Sequence, residues 1–163
     1  MNSFAVEVWD DEGSKCTLYT VKQLDASYSE TDKFFLKSRN NDTLKRNFQE
    51  IAKFLTTIIG EVDGALSIYF REERSANGIP PKGEIEKDTI TFFHINYPLR
   101  LYCLRISNEI VVLFNGDEKT SDAAQDGKTS MVFYEAQQFA VKILKAYNYG
   151  EFQFGQTEEI IID

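Results

Sequence analysis

The sequence predicts a single α+β domain in which helices pack on a mainly antiparallel β-sheet. A chain of 163 residues can bury one substantial core, whereas a second core would be marginal. The hydrophobic share of 42% and the aromatic share of 13% are far from the composition of disordered chains. Runs typical of strands flank helical blocks, without the regular βαβ alternation of a parallel sheet.

The first pattern typical of strands covers residues 3–24, SFAVEVWDDEGSKCTLYTVKQL. Apolar and polar residues alternate on both sides of a short acidic stretch that ends in Gly13. Such alternation indicates two half-buried strands joined by a turn. Residues 1–28 are therefore predicted to form a β-hairpin that extends the domain at its N-terminus.

Two helices are predicted after this hairpin. Ser29 followed by Asp32 resembles a capping box and opens a short helix. A longer helix is predicted to begin near Asp42 and to end at Gly60. Its apolar residues step by four, three, four and three positions, which places them on one face: Leu44, Phe48, Ile51, Leu55 and Ile58.

The next segments are predicted from their composition. ALSIYFREERS, residues 65–75, is compatible with a strand. ANGIPPKGEIEKD, residues 76–88, contains Gly, two prolines and charges, which is typical of an exposed, mobile loop. TITFFHI, residues 89–95, is predicted to be a strand that leads into the following hairpin.

The most apolar segment is PLRLYCLRISNEIVVLF, residues 98–114, which predicts two strands joined by a tight turn at Ser107–Asn108. Asn tolerates a positive φ in such a turn. Two registers are open at this point. One places Arg100 opposite Asn115, and a slip of two residues places it opposite Asp117.

The last third of the chain contains one clear helical pattern. DAAQDGK, residues 122–128, is predicted to be a polar connector. The helix that follows has its apolar residues at helical spacing: Val132, Ala136, Phe139, Ala140, Ile143 and Tyr147. Residues 150–163 form either a last strand or an ordered tail.

Charge and cysteine content restrict the function. A net charge of −8 and a pI near 4.8 mean that the molecule as a whole is repelled by nucleic acid and by anionic membranes. A phosphate contact must therefore come from a local basic patch. Cys16 and Cys103 form no CxxC pair and are expected to be reduced core residues.

The N-terminus has no basic region followed by an apolar core, and no apolar run approaches the ~20 residues of a membrane helix. We therefore expect a cytoplasmic protein that does not enter a membrane.

Arg100 is the residue that most needs explanation, because a guanidinium in an apolar strand requires a carboxylate, a carbonyl or a phosphate to offset its desolvation. One interpretation is a cross-strand ion pair with Asp117. The other pairs Arg100 with Lys119 as two cations that hold a phosphate. NGDEKT is not a P-loop, since Glu118 stands where the motif requires glycine.

His94 is the single histidine of the chain, and it lacks neighbours at the spacing of a metal site or a catalytic triad. It is either a partly buried strand histidine or a proton-transfer group. REERS, residues 71–75, is interpreted as a self-paired strand end. Residues 64–128 carry eight Lys or Arg and ten Asp or Glu, which argues against a strong phosphate groove.

The segment PLRLYCLRISNEIVVLFNGDEKTSDAAQD followed by a helix resembles the RelE/ParE/HigB-like toxin superfamily, particularly its phage-related members. In that family an arginine on a central strand precedes an apolar strand, a Lys-Thr pair and a helix that contains alanine. Arg100, the run 110–114, Lys119 with Thr120, and Ala136 match these positions. The resemblance covers roughly residues 30–145.

The resemblance implies a small, RelE-like α+β fold. The RelE-like members of the superfamily cut mRNA in the ribosome with basic and aromatic side chains, whereas its ParE-like members poison gyrase and have no nuclease activity. We expect the first activity, that of a metal-independent endoribonuclease that acts on ribosome-bound mRNA.

The resemblance also implies an antitoxin partner and no cofactor. It carries over Arg100 as the cation for the phosphate or the transition state and Lys119 as a second basic group. His94 is added to the catalytic candidates as a possible acid or base, and Arg74, Tyr102 and Lys82 are the candidates for substrate binding.

The alternative is a non-catalytic module that binds a protein through exposed aromatics or a sheet edge. The acidity of the chain favours it. So does FFHINY, residues 92–97, which lacks an arginine that the family often has there.

Overall fold

The computed structural model describes residues 1–88, 90–119, 130–155 and 159–163. Within these ranges the chain forms a seven-stranded sheet, a small two-stranded sheet and helices on both faces of the large sheet. The strands are β1 Phe4–Asp10, β2 Thr17–Gln23, β3 Arg71–Glu73, β4 Ala76–Ile79, β5 Glu86–Lys87, β6 Ile90–Thr91, β7 Leu99–Ser107, β8 Ile110–Glu118 and β9 Glu159–Ile162. The helices are α1 Glu30–Leu36, α2 Lys45–Lys53 and α3 Ser130–Asn148.

The large sheet has the order β3-β4-β7-β8-β2-β1-β9. All of its neighbouring strands are antiparallel except β2 and β8, which are parallel. The α+β class with a mainly antiparallel sheet is therefore confirmed. The first hairpin lies inside this sheet, between β8 and β9, and the last segment contributes the edge strand β9.

The sheet is buried on both faces, as the alternation along β8 illustrates. Val111 and Leu113 join the cluster beneath α2, whereas Val112 and Phe114 join the cluster beneath α3. Successive side chains of a strand point to opposite faces, so one strand serves two cores. Among the described residues, none of the helices combines the length and the apolar character that a membrane span requires.

The predicted start of α1 is confirmed. The Ser29 hydroxyl accepts a hydrogen bond from the Asp32 N–H at 3.1 Å, which satisfies one of the free donors of the first turn. The Thr31 hydroxyl lies 2.6 Å from the Thr20 hydroxyl and donates to the Phe114 carbonyl at 3.2 Å. These bonds hold α1 against β2 and β8.

The bounds predicted for the second helix are wrong at both ends. α2 begins at Lys45, and a π-helical segment, Phe54–Asp63, continues it past Gly60. Gly64, with φ of 80°, ends that segment. Gly60 has a packing role instead, because its carbonyl accepts the N–H groups of Lys15 and Cys16 at 2.9 and 3.1 Å.

The prediction of an exposed loop at residues 76–88 is wrong for its first part. Ala76–Ile79 forms the buried strand β4, which lies between β3 and β7. The predicted strand ALSIYFREERS is restricted to β3, preceded by a 3₁₀ turn at Ser67–Tyr69. The described part of this segment, residues 90–95, does not lead into β7 as a strand, since within it only Ile90–Thr91 pairs, and it pairs with β5.

The β7–β8 hairpin is confirmed, but its turn lies one residue later than predicted, at Asn108–Glu109. Asn108 is not among the residues with positive φ, so the turn does not use the tolerance of Asn for that conformation. Its side chain instead accepts from Arg105 Nη2 at 2.5 Å, and Arg105 Nε donates to the Ala65 carbonyl at 2.6 Å. The predicted connector 122–128, together with Thr89 and Thr120, lies outside the described residues.

Both cysteines are free and buried, as predicted. Burial, and then the nearby Glu109 carboxylate, raise the pKa of the Cys16 thiol to about 12, and burial also raises the pKa of Cys103. Since the thiolate is the reactive form, iodoacetamide at pH 8 is expected to label neither cysteine in the folded protein and both after unfolding. Mass spectrometry of the alkylated protein measures this. Labelling of either thiol before unfolding would contradict the assignment.

The carboxylate of Asp63 links the end of the π-helical segment to two other elements. It accepts a hydrogen bond from the Tyr69 hydroxyl, and it lies 3.1 Å from Lys87 Nζ of β5. The Tyr69 hydrogen bond lowers the pKa of Asp63, and the contact with Lys87 lowers it further against an opposing effect of desolvation.

A carboxyl group with a lowered folded-state pKa stabilises the fold above its unfolded pKa of about 3.9 and loses that contribution as the pH falls. Tyr69→Phe is therefore expected to weaken the dependence of unfolding free energy on pH below about pH 4. Urea unfolding at several pH values measures it, with the exposed Tyr149→Phe as control. If Tyr69→Phe keeps the pH dependence of the wild type, the Tyr69–Asp63 hydrogen bond does not lower the pKa of Asp63.

Candidate anion-binding site

A cavity of about 200 Å³ lies where β7 begins and β8 ends. Among the described residues, no acidic side chain lines this cavity. Five basic side chains line it: Arg71, Lys82, His94, Arg100 and Lys119. The remaining lining residues are Pro80, Pro81, Gly83, Ile95, Asn96 and Tyr97. In a chain with a net charge of −8, this is a local concentration of positive charge.

Arg100 is 3% exposed and is one of the residues that line this cavity. Its Nη1 donates to Glu73 Oε1 at 2.7 Å, in an ion pair whose side chains are 4% and 14% exposed. Arg100 Nε is buried and has no hydrogen-bond acceptor among the described residues. Glu73 of β3 therefore holds the guanidinium through Nη1, whereas the buried Nε has no acceptor among the described residues.

The partner predicted for Arg100 is wrong, although the second register is correct. Arg100 and Asp117 are backbone partners in β7 and β8. The Asp117 carboxylate, however, lies 3.6 Å from Lys37 Nζ, and Arg100 bonds to Glu73. The sequence does not reveal this pair because the segment after Glu73 has the composition of a loop, so that nothing local places β3 near β7.

Gly78 makes this ion pair possible. It lies on β4 between the strands of Arg100 and Glu73. A Cβ atom at Gly78 would lie 3.3 Å from Arg100 Cδ and 3.3 Å from Glu73 Cγ. Because Gly78 has no side chain, the two long side chains can meet across β4. A glycine inside a strand often marks such a close approach, but the segment of Gly78 has the composition of a loop, so the sequence contained no such signal.

Arg71 fixes one wall of the cavity. Its Nε donates to the Pro80 carbonyl at 2.7 Å, and its Nη2 donates to the Pro81 carbonyl at 3.2 Å. Burial, and then the nearby Arg100 guanidinium, lower the pKa of Arg71. The sequence interpretation of Arg71 as part of a self-paired strand end missed this role. Arg71 holds the loop that carries the exposed Lys82.

His94 also lines the cavity, and it lies in an exposed loop and not in a strand, so the prediction of a partly buried strand histidine is wrong. Phe93 and Tyr97 anchor this loop, with their rings 5.0 Å apart in the core. The Tyr97 hydroxyl donates to the Asn47 carbonyl at 2.9 Å. The His94 side chain is 74% exposed, and its Nδ1 lies 3.6 Å from Glu84 Oε1.

Lys119 and Lys82 join the cavity from two other segments. The Lys119 N–H donates to the Pro98 carbonyl at 2.8 Å, which ties the end of β8 to the start of β7. Lys119 is half-buried and Lys82 is exposed. Four of the six residues predicted for a site, Arg100, Lys119, His94 and Lys82, therefore line one cavity.

Arg74 and Tyr102 are not among the residues that line it. Arg74 has a positive φ of 61° in the β3–β4 turn, and its guanidinium carbon lies 5.6 Å from the centre of the Phe133 ring. Tyr102 is completely buried beneath α3 against the same phenylalanine. Its predicted role in substrate binding does not fit this position, because a bound substrate cannot reach a side chain sealed in the core.

This arrangement can bind one oxyanion. Basic side chains on several segments of the fold surround a small space, so a phosphate group would be contacted from more than one side. Comparison with known proteins gives no match to a family model, to a curated protein or to a solved structure.

Proposed function

We propose that the cavity binds a phosphate group of RNA and that the protein acts as a RelE-like, metal-independent endoribonuclease on ribosome-bound mRNA. The observation that supports this is the lining, which among the described residues has five basic side chains and no carboxylate. Because the whole molecule is acidic, a polyanion is attracted to this place and repelled elsewhere. The resemblance to the toxin superfamily adds an antitoxin as protein partner to the proposal. The two free, buried cysteines suit the reducing cytoplasm, which is the proposed location.

The proposed chemistry uses the exposed and half-buried cations. The 2′-hydroxyl of one nucleotide attacks the adjacent phosphorus, a new 2′-O–P bond forms, and the P–O bond to the 5′-oxygen of the next nucleotide breaks. His94 takes the proton of the 2′-hydroxyl, and a solvent water gives a proton to the departing 5′-oxygen. Lys82 and Lys119 neutralise the charge that grows on the non-bridging oxygens.

Expression of the wild-type chain in a bacterial host is the direct test, since the proposed activity arrests growth. His94→Gln is expected to lower the rate of mRNA cleavage by about 10²-fold or more, because a positioned proton-transfer group contributes that much. Lys82→Ala is expected to weaken RNA binding and to reduce its salt dependence by about one counterion. Primer extension on ribosome-bound mRNA and binding at several salt concentrations measure the two effects.

Lys45→Ala is the matched control, because Lys45 is about half-exposed on α2 and does not line the cavity. Lys45→Ala should cleave mRNA and bind RNA like the wild type. Normal growth of cells that contain folded wild-type protein, together with intact mRNA, would contradict the endoribonuclease proposal.

The second candidate is the non-catalytic module, and the Arg100–Glu73 ion pair favours it. An arginine that is already neutralised by an internal carboxylate has less charge to offer to a transition state. Ile95, which is 74% exposed at the cavity, offers an apolar contact for a protein partner. Under this alternative the cells grow normally, and Ile95→Lys, not His94→Gln, removes partner binding.

A further inference from the structure

We infer that the outer edge of β9 is a docking site for an extended, acidic segment of a partner protein. This segment adds to the large sheet as a further strand and places apolar side chains and a carboxylate in a groove beside α3. The groove, here called the β9 groove, has a volume of about 470 Å³ and shares no lining residue with the cavity that Arg100 lines. The inference therefore does not depend on the proposed endoribonuclease activity.

The first reason is that β9 lies at the end of the large sheet. It pairs with β1 on one side, and among the described residues no strand pairs with its other side. An edge strand presents backbone N–H and C=O groups that a further strand can bind. β9 consists of Glu159 and three isoleucines, without a proline and without a register shift against β1 that would deter such pairing.

The second reason is the position of the β9 groove. Ile160 and Ile162 are buried beneath α3, whereas Ile161 points to the other face and is 49% exposed. A strand added outside β9 would lie about 4.8 Å away and would send every second side chain toward the face that α3 covers. The β9 groove is lined by α3 and by β9 but by no residue of β1, so it lies on the outer side of β9. These side chains would therefore enter it.

The apolar part of the β9 groove is already built in the free protein. Ala146, Phe152 and the buried isoleucines of β9 line it. The Phe152 ring is held by two other rings, since its centre lies 5.9 Å from that of Tyr147 and 5.1 Å from that of Phe154. Apolar side chains of an added strand would be removed from water against this surface.

The third reason is charge. Lys142 and Lys145 of α3 line the β9 groove, and none of the ion pairs among the described residues includes either lysine. Lys142 Nζ contacts only the Met1 carbonyl, at 3.4 Å. Two acids also line the groove: Asp163, which accepts from the Ser3 hydroxyl at 2.6 Å, and Glu151. Two neighbouring lysines without a carboxylate partner are complementary to an acidic side chain of the added strand.

A second copy of this chain fits the same edge poorly. Two β9 strands paired antiparallel about Ile161 would place Glu159 of each copy opposite Asp163 of the other copy, and like charges that face each other destabilise a strand pair. Each copy also carries a net charge of −8, which opposes self-association. The occupant is therefore a different protein.

The test is a titration of the full chain with the synthetic peptide acetyl-Thr-Ile-Thr-Val-Thr-Glu-Thr-amide, followed by NMR. Its alternate residues Ile, Val and Glu share one face of a strand. The expected result is a saturable shift of the backbone N–H signals of residues 159–163 and slower hydrogen exchange at alternate positions of β9. The absence of a shift at millimolar peptide would overturn the inference, as would shifts confined to residues outside the β9 groove.

A charge swap tests the role of the lysines. The double variant Lys142→Glu, Lys145→Glu is expected to bind this peptide about tenfold more weakly and to prefer the peptide in which Lys replaces Glu. The matched control is Lys45→Glu, Lys53→Glu, which changes two exposed lysines of α2 by the same charge and should bind like the wild type. Equal binding of both peptides by the wild type would overturn the charge assignment.

Methylation of the peptide backbone tests strand addition itself. A strand uses alternate N–H groups to bind one neighbour, so one alternate set of N-methyl groups should abolish binding and the other set should leave it unchanged. Equal binding by both methylated peptides would show that no strand is added. Sedimentation of the free protein as a dimer that the peptide dissociates would also overturn the inference, because a second copy would then occupy the edge.

Discussion

Glu73→Ala is expected to lower the free energy of unfolding by about 3–5 kcal/mol, because it leaves a buried guanidinium charge without its counterion. Arg100 is 3% exposed, so water cannot replace the lost carboxylate without local opening of the sheet. The Glu73 side chain is itself only 14% exposed, so solvent screens the pair weakly. Urea unfolding at neutral pH, monitored by circular dichroism, measures the change.

The matched control is Glu72→Ala. Glu72 is the neighbouring residue on β3, but it is exposed, and its loss should change stability by less than about 0.5 kcal/mol. The double variant Glu73→Ala, Arg100→Met should recover much of the loss, since no charge is then stranded in the core. A Glu73→Ala protein as stable as Glu72→Ala would show that the ion pair does not hold this edge of the sheet.

Gly116→Ala is expected to be the other severe substitution, with a loss of about 3 kcal/mol or more. A Cβ atom at Gly116 would lie 2.0 Å from the Arg100 carbonyl oxygen and 2.8 Å from Leu101 Cα. These are backbone atoms, so no side-chain rotation relieves the clash, and the two strands must separate. The register shift between Leu101 and Cys103 lies beside this contact. Thermal and urea unfolding of the variant measure the loss.

Gly83→Ala is the control for this prediction. Gly83 has φ of 88°, and no atom lies within 4 Å of the position that a Cβ atom would take there. This variant therefore reports the cost of a positive φ alone, about 1–2 kcal/mol. Gly116 is not among the residues with positive φ, so its cost comes from the contact. A smaller loss in Gly116→Ala than in Gly83→Ala would show that β7 and β8 tolerate separation at this point.

Several features of the fold were predictable because they depend on neighbours in the sequence. The Ser29 cap needs only the N–H three residues later. The apolar stripe of α3 needs only the helical period, and the β7–β8 hairpin needs two apolar runs separated by a short turn. The same local reasoning placed Arg100 opposite Asp117 in one of its two registers, which the structure confirms.

Other features were not predictable because they depend on contacts that are distant in the sequence. The segment Ala76–Ile79 contains glycine and precedes two prolines, so locally it resembles a loop, yet burial between β3 and β7 makes it a strand. Gly60 resembles a helix end, but its carbonyl is occupied by the β1–β2 connection. In both places tertiary packing overrides the local preference.

The sequence alone determined the class of fold and the β7–β8 hairpin, since these follow from periodicity, turn chemistry and composition. It also pointed to four of the five basic residues that line the cavity. Only the tertiary structure decided which acid neutralises Arg100 and which cations share a cavity. The physical reason is that charges interact through space: Arg100 and Glu73 are 27 positions apart and meet across β4 only because Gly78 leaves room.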